Sequence, residues 1–211
     1  MNIKEKIDFF RINLNNKYDV LPTAQKEDVD NFEKHYQLKL PEYYKFFVIN
    51  IANGITCNNK YDGYCENIIS DYDFKDLDQI DDPFENPFIK FPLTNPTYEL
   101  HKTQYDYFDV TNGTIFLKGT GCGNGIRLII KGKSFGQIWI DEVMSNDELF
   151  PAFLNSNIEN NFENWINNRL DYEINKELPD IKERKERIKN YIKITLYLIA
   201  VIIGIILIIV R

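Results

Sequence analysis

At 211 residues, with 44% hydrophobic and 14% aromatic side chains, the chain holds enough apolar material for one domain with a sizeable core, which excludes a largely disordered protein. Its net charge of −7 is unevenly placed, because from Asp180 onward seven basic residues face three acidic ones (+4), leaving −11 on residues 1–179. Charge of that sign repels nucleic-acid phosphates, so no nucleic-acid partner is expected; it suits a basic protein partner, or simple solubility.

The N-terminal residues have no apolar run before a cleavage site, so no export signal is read there. Ile3, Ile7, Phe10 and Leu14 recur at steps of four, three and four, which predicts an amphipathic helix over residues 3–15, ended by Asn15 and Asn16. After Leu21-Pro22, Thr23 is placed to cap a second helix, with Glu27 and Asp28 near its positive end and Val29, Phe32 and Tyr36 as its buried stripe. His35 falls beside that stripe as a boundary residue, and His101 is the only other histidine. Leu40-Pro41 opens a third helix, since proline fits a first helical turn. Tyr44, Phe47, Val48 and Ile51 then form its core face, and Asn53-Gly54 closes it through a left-handed glycine.

The densest acidic run follows: Asp71, Asp73, Asp76, Asp78, Asp81, Asp82 and Glu85. A calcium loop needs glycine at its sixth position, where Asp76 stands counting from Asp71, so no metal is expected. Two readings stay open for this run, a solvated acidic loop and a contact surface for a cationic partner. Pro83, Pro87, Pro92 and Pro96, interleaved with Phe84, Phe88, Phe91 and Tyr98, read as an ordered edge segment. Asn112-Gly113-Thr114 matches a glycosylation acceptor, which a cytosolic domain would not use.

Residues 114–118 read as a strand, and glycine then occupies positions 119, 121, 123 and 125. Two β-rich runs, 126–131 and 137–143, flank a loop carrying Gly132 and Gly136, the pattern of a hairpin lying mid-sheet in a sheet of four or five strands. The glycine run leads into a strand rather than a helix, which rules out a phosphate loop. Gly121 and Gly123 are instead expected to turn the backbone sharply into the hairpin through positive φ, with Trp139 packing beneath the third helix. Neither histidine lies in a nucleophile motif, so no catalytic residue and no cofactor are expected. Cys57, Cys65 and Cys122 are an odd count with no Cys-x-x-Cys pair, which suits reduced packing thiols better than a disulfide framework or zinc site.

Phe162, Trp165, Ile166, Leu170 and Ile174 make a last amphipathic helix, which Pro179 is expected to break. Residues 1–178 are thus read as the domain and 179–190 as a charged spacer suited to anionic lipid headgroups. Residues 194–210 carry no charge, and the 20 positions of 191–210 would span about 30 Å as a helix, so this tail is read as a transmembrane anchor. Basic residues before it, against Arg211 alone beyond it, place the domain at the cytoplasmic face.

Phe32-Glu33, the short link, Leu40-Pro41, the aromatic helix and Asn53-Gly54 form an opening signature. The glycine segment, Gly136-Gln137-Ile138-Trp139 at the next strand, and Phe162 through Trp165 in a late helix follow in an order that resembles the SMI1/KNR4 group of the SUKH superfamily over roughly residues 20–170. The resemblance implies an α+β fold, with helices packed around a mostly antiparallel sheet, and a protein-binding role. Bacterial members resemble immunity proteins that neutralise polymorphic toxins, and eukaryotic relatives are regulatory scaffolds. The chain departs from the pattern at Asn124, where many members carry an acidic residue, and over residues 57–110. The expectation for the whole is a tail-anchored immunity protein that binds a toxin domain stoichiometrically, the alternative being a tail-anchored adaptor.

Overall fold

The computed structural model describes residues 1–77, 86–94, 98–99, 104–153 and 156–209, with 98–99 and 198–209 as backbone alone. The chain divides into two compact units, Met1–Asp171 and Tyr172–Arg211.

The first unit opens with α1 (Ile3–Asn13), started by a reciprocal cap in which Asn2 Oδ1 accepts from the Glu5 N–H at 3.0 Å and Glu5 Oε2 accepts from the Asn2 N–H at 2.9 Å. The predicted stripe of Ile7, Phe10 and Leu14 is buried. A short strand, β1 (Tyr18–Val20), pairs antiparallel with β2 (Ile55–Cys57). Helix α2 (Lys26–His35) begins two residues later than a Thr23 cap would put it, behind Gln25 and with no side-chain cap bond. The delay follows from the preceding backbone, which is bound elsewhere: the Ala24 N–H donates to Val48 O at 2.8 Å.

Helix α3 (Glu42–Asn50) has Pro41 at its cap, and the Ile51 and Ala52 N–H groups both donate to Phe47 O to close it. Gly54 is therefore not the left-handed terminator that the sequence suggests, and it does not take positive φ. It is needed for close approach: a Cβ there would stand 2.9 Å from Leu21 Cδ1 and 3.0 Å from the Asp71 N.

The main sheet is antiparallel throughout, in the order β3 (Tyr98–Glu99), β7 (Glu148–Pro151), β6 (Ile138–Glu142), β5 (Asn124–Ile129), β4 (Thr114–Gly121). The expected hairpin is β5–β6, and it does lie inside the sheet. The glycine run is itself a hairpin tip rather than a lead-in: β4 extends to Gly121, and Cys122 and Gly123, at φ 53° and 81°, form the two-residue connection to β5. Positive φ at both central residues matches the twist of the flanking strands.

Two helices flank the later strands, α4 (Tyr107–Thr111) and α5 (Val143–Asn146). One face of the sheet packs Trp139, Ile129 and Leu149 against Phe91, Leu93 and Val110 of the preceding segment and α4. Trp139 thus lies 5.0 Å from Phe91, ring to ring, and not beneath α3. The aromatic face of α3 is met instead by the start of α6 (Phe162–Ile209), where Phe162 stands 5.0 Å from Tyr44, 5.5 Å from Phe47 and 5.9 Å from Trp165.

Three further expectations are corrected. Cys57 and Cys65 are not reduced packing thiols but a disulfide, and Cys122 is exposed. The loop between the pair folds back and brings their Cα atoms to 5.8 Å, a proximity that an eight-residue spacing does not reveal. Pro179 does not break the last helix, because α6 runs through it and forgoes only the hydrogen bond that its missing N–H would have made. Among the described residues no helix is long and apolar enough to cross a membrane, which overturns the transmembrane anchor and the cytoplasmic-face placement built on it. The described turns before residue 198 carry charges of both signs, with Glu183 paired to Arg187 at 2.6 Å and Glu186 to Lys189 at 3.6 Å. The side chains of 198–211, most of the expected anchor, lie outside the described residues.

Candidate partner-binding surface

The acidic run begins where the chain returns from β2. The Ile55 N–H donates to Ile69 O and the Ile68 N–H to Ile55 O, each at 2.9 Å, and the Ser70 N–H reaches Leu117 O of β4 at 2.7 Å. Extended from that anchor, the next residues alternate: Tyr72 is half-buried and Phe74 buried, whereas Asp71 and Asp73 are exposed. The inward pair is held by Phe32 of α2, whose ring lies 5.6 Å from Tyr72 and 5.5 Å from Phe74, both edge-on. Aromatic anchors on one side therefore present carboxylates on the other.

These carboxylates line a cleft of 490 Å³ between the 71–75 segment, Leu21-Pro22 and the first turn of α2. Asp28 joins them from α2; Lys75 Nζ lies 4.0 Å from its Oδ2, while the Lys75 N–H donates to Asp73 Oδ1 at 2.9 Å. Among the described residues Asp71 has no ion pair. Asn53 stands at the cleft wall, its Nδ2 donating to Tyr72 O at 2.9 Å. Its Oδ1 is buried and accepts no hydrogen bond among the described residues.

Of the acidic residues marked in the sequence, the structure brings Asp71 and Asp73 to one cleft and leaves Asp76 exposed beyond it. Asp78, Asp81, Asp82 and Glu85 lie outside the described residues, as do Pro83, Phe84, Pro96 and His101. Asp28 was legible only as a helix-start residue, and Asn53 only as a helix end. The signal for both was the pair of Leu21-Pro22 and Asn53-Gly54 flanking two helices, since the Asn53 N–H donates to Pro22 O at 3.1 Å and closes them into one wall.

The opening signature has its own electrostatics. Glu33, 4% exposed, accepts from the Leu40 N–H at 2.8 Å, Lys45 Nζ at 2.9 Å and Lys39 Nζ at 3.0 Å. Burial pushes its carboxyl up, but the Leu40 N–H and the two ammonium groups outweigh that and hold it below the ordinary glutamate value. Lys45 also meets Asp30 at 2.7 Å, and hydrogen bonds from Lys26 and Lys45 bring that carboxyl down to about 2. Glu33 is thus the tie that fixes the Leu40-Pro41 link to α2.

A second buried pair sits in the sheet. Arg127 Nε donates to Asp141 Oδ2 at 2.7 Å, with side chains 3% and 0% exposed, while its other nitrogens reach Thr114 Oγ1 at 3.3 Å and the Tyr107 hydroxyl at 3.2 Å. The Val143 N–H donates to Asp141 Oδ1 at 3.2 Å. This pair ties β4, β5, β6 and α4 together and is closed to any substrate. Asn112 and Thr114 are 6% and 0% exposed, so the glycosylation sequence is buried.

An α+β domain with antiparallel sheets, α4 packed on one face of the larger, and an acidic cleft beside α2 defines the class. The chain matches the SMI1/KNR4 family (SUKH-1) over residues 23–168, and it belongs to that family. The matched span includes Asp28, Asn53, Asp71 and Asp73. No curated protein and no solved structure matches the chain.

Proposed function

We propose that this domain is an immunity protein that neutralises a cognate toxin by stoichiometric, non-catalytic binding, with the acidic cleft as part of its docking surface. The family supports the class of activity, since its members are typically immunity proteins. The observation that carries the surface is the alternation turning Tyr72 and Phe74 inward and Asp71 and Asp73 outward beside Asp28. A lysine or arginine of a basic toxin domain entering the cleft would meet these carboxylates. In sequence the acidic run continues from the cleft through Asp76, Asp78, Asp81, Asp82 and Glu85.

Co-expression with the product of the adjacent upstream gene tests the reading. That product is expected to arrest growth alone and to be rescued by this chain through a complex of fixed stoichiometry. Asp71→Lys with Asp73→Asn should abolish rescue without lowering the melting temperature, because both side chains are exposed and asparagine keeps the acceptor for the Lys75 N–H. A neighbour that is not toxic, or recovery of housekeeping proteins in place of a toxin, would favour an adaptor instead.

A further inference from the structure

We propose that the Cys57–Cys65 disulfide is a thiol-sensitive latch: oxidised, it holds Glu66 against Lys118 and Arg169; reduced, it frees residues 59–66 and loosens that contact. Among the described residues the loop is tied to the body at its far end through Glu66 and through Cys65 Sγ, 3.5 Å from Lys17 O, and at its near end through Asn58. There the Asn58 N–H donates to Lys17 O at 2.9 Å, and the Lys60 and Tyr61 N–H groups turn back onto Asn58, also at 2.9 Å. Beyond Tyr61, whose ring stands 5.8 Å from Lys17 Nζ, the chain is exposed through Asp62, Gly63 and Tyr64, the last 84% exposed. The far end is fixed by the disulfide itself and by Glu66.

Glu66 connects the loop to the core. It accepts from Lys118 Nζ at 2.7 Å and from the Tyr64 hydroxyl, and it lies 3.9 Å from Arg169 Nη2. The Lys118 side chain is only 5% exposed, so a change in Glu66 beside it is felt by β4. Lys118 holds the Glu66 carboxyl below its ordinary value, as that geometry requires. Both cysteines are half-buried and open to a small reductant. The tie from the Cys57 N–H to Asn67 Oδ1, 2.8 Å, does not depend on the sulfur bond and limits the release to the loop.

The chemistry needs a dithiol reductant. The Sγ–Sγ bond breaks, two electrons and two protons convert Cys57 and Cys65 to thiols, and the reductant closes to its own disulfide. Oxidation reverses each step.

The test uses the full chain carrying Cys122→Ser, which removes the one exposed free thiol. Without reductant, thiol titration of the native protein should find no free cysteine. With dithiothreitol it should find two, the amides of 59–66 should exchange about tenfold faster, those of β5 and β6 should not change, and those of 118–119 should quicken to a lesser degree. Cys57→Ser should show the fast loop without reductant and no further response. Glu66→Gln with the disulfide intact should reproduce the change at 118–119 alone. Two free thiols before reduction, unchanged exchange at 59–66 on reduction, or no change at 118–119 in Glu66→Gln would each overturn the proposal.

Discussion

At the scale of single residues, Glu33 shows how a sequence signature becomes a physical tie. Its carboxylate gathers one backbone donor and two ammonium groups in a nearly closed site. Glu33→Gln keeps an acceptor for the Leu40 N–H but loses the charge facing Lys45, and should lower stability by about 1–2 kcal/mol. Glu33→Ala loses both and should cost about 2–4 kcal/mol, each read from urea unfolding. The pH dependence has a definite sign. Glu33 and Asp30 both have depressed folded values, so their contributions are complete above the ordinary carboxylate range and are lost as pH falls through the folded one. For Asp30 that window runs from 3.8 down to about 2. Acid unfolding of the Glu33→Gln variant should therefore show a shallower loss of stability below about pH 4.5 than the parent. Much of this tie was legible: Phe32-Glu33 and Leu40-Pro41 mark it, although the sequence alone shows only their spacing. The disulfide was not legible, because nothing in the residues between Cys57 and Cys65 states that the loop closes on itself.

At the scale of elements, periodicity located the helices because a buried stripe is a local property of the chain. Register between distant segments was harder to read. Ile138 and Trp139, consecutive in β6, are both buried, so alternation marks no single inward face, and what covers Trp139 depends on where 91–93 and α4 return, which no local pattern encodes. The acidic cleft was hidden for a related reason: Asp-Tyr-Asp-Phe is a half-buried strand pattern embedded in a run whose charge dominates it. The β4–β5 hairpin offers a direct check on the glycine reading. Gly123, at φ 81°, has Met144 Cγ 2.8 Å from where a Cβ would sit, whereas Gly121, at φ 96°, has open space around it. Gly121→Val should cost about 1–2 kcal/mol from backbone strain alone, and Gly123→Val more, unless Met144 swings aside. A Gly123→Val, Met144→Ala double variant should recover the excess, and equal losses in the two single variants would contradict that. Across the same strands, Arg127→Met should cost about 3–5 kcal/mol by stranding Asp141, while Arg127→Met with Asp141→Leu should recover most of it.

At the scale of the whole molecule, binding should be electrostatic in character, since residues 1–179 carry −11 while the remainder carries +4. Raising salt from about 0.05 to 0.5 M should then slow association with a basic partner far more than it speeds dissociation. The tail's positive charge could soften that response, and a truncated chain separates the two. We expect residues 1–178 to form the binding unit. A chain ending at 178 keeps Phe162, Trp165, Ile166 and Leu170, which are 2%, 9%, 0% and 0% exposed in the intact protein. It should retain a single cooperative unfolding transition and the near-ultraviolet signature of packed aromatics. A chain ending at 160 loses Phe162, which packs on Tyr44 and Phe47, and with it the lid over the aromatic face of α3. Deleting one such buried ring costs about 3–5 kcal/mol, a large share of a domain's stability, so this shorter chain should not fold. With −11 and none of the positive tail, the 178-residue chain should bind a basic partner at least as fast as the full chain and show a steeper salt dependence. Loss of binding in a folded 178-residue chain would mean that the partner reads the tail, and the acidic cleft would then cease to be the docking surface.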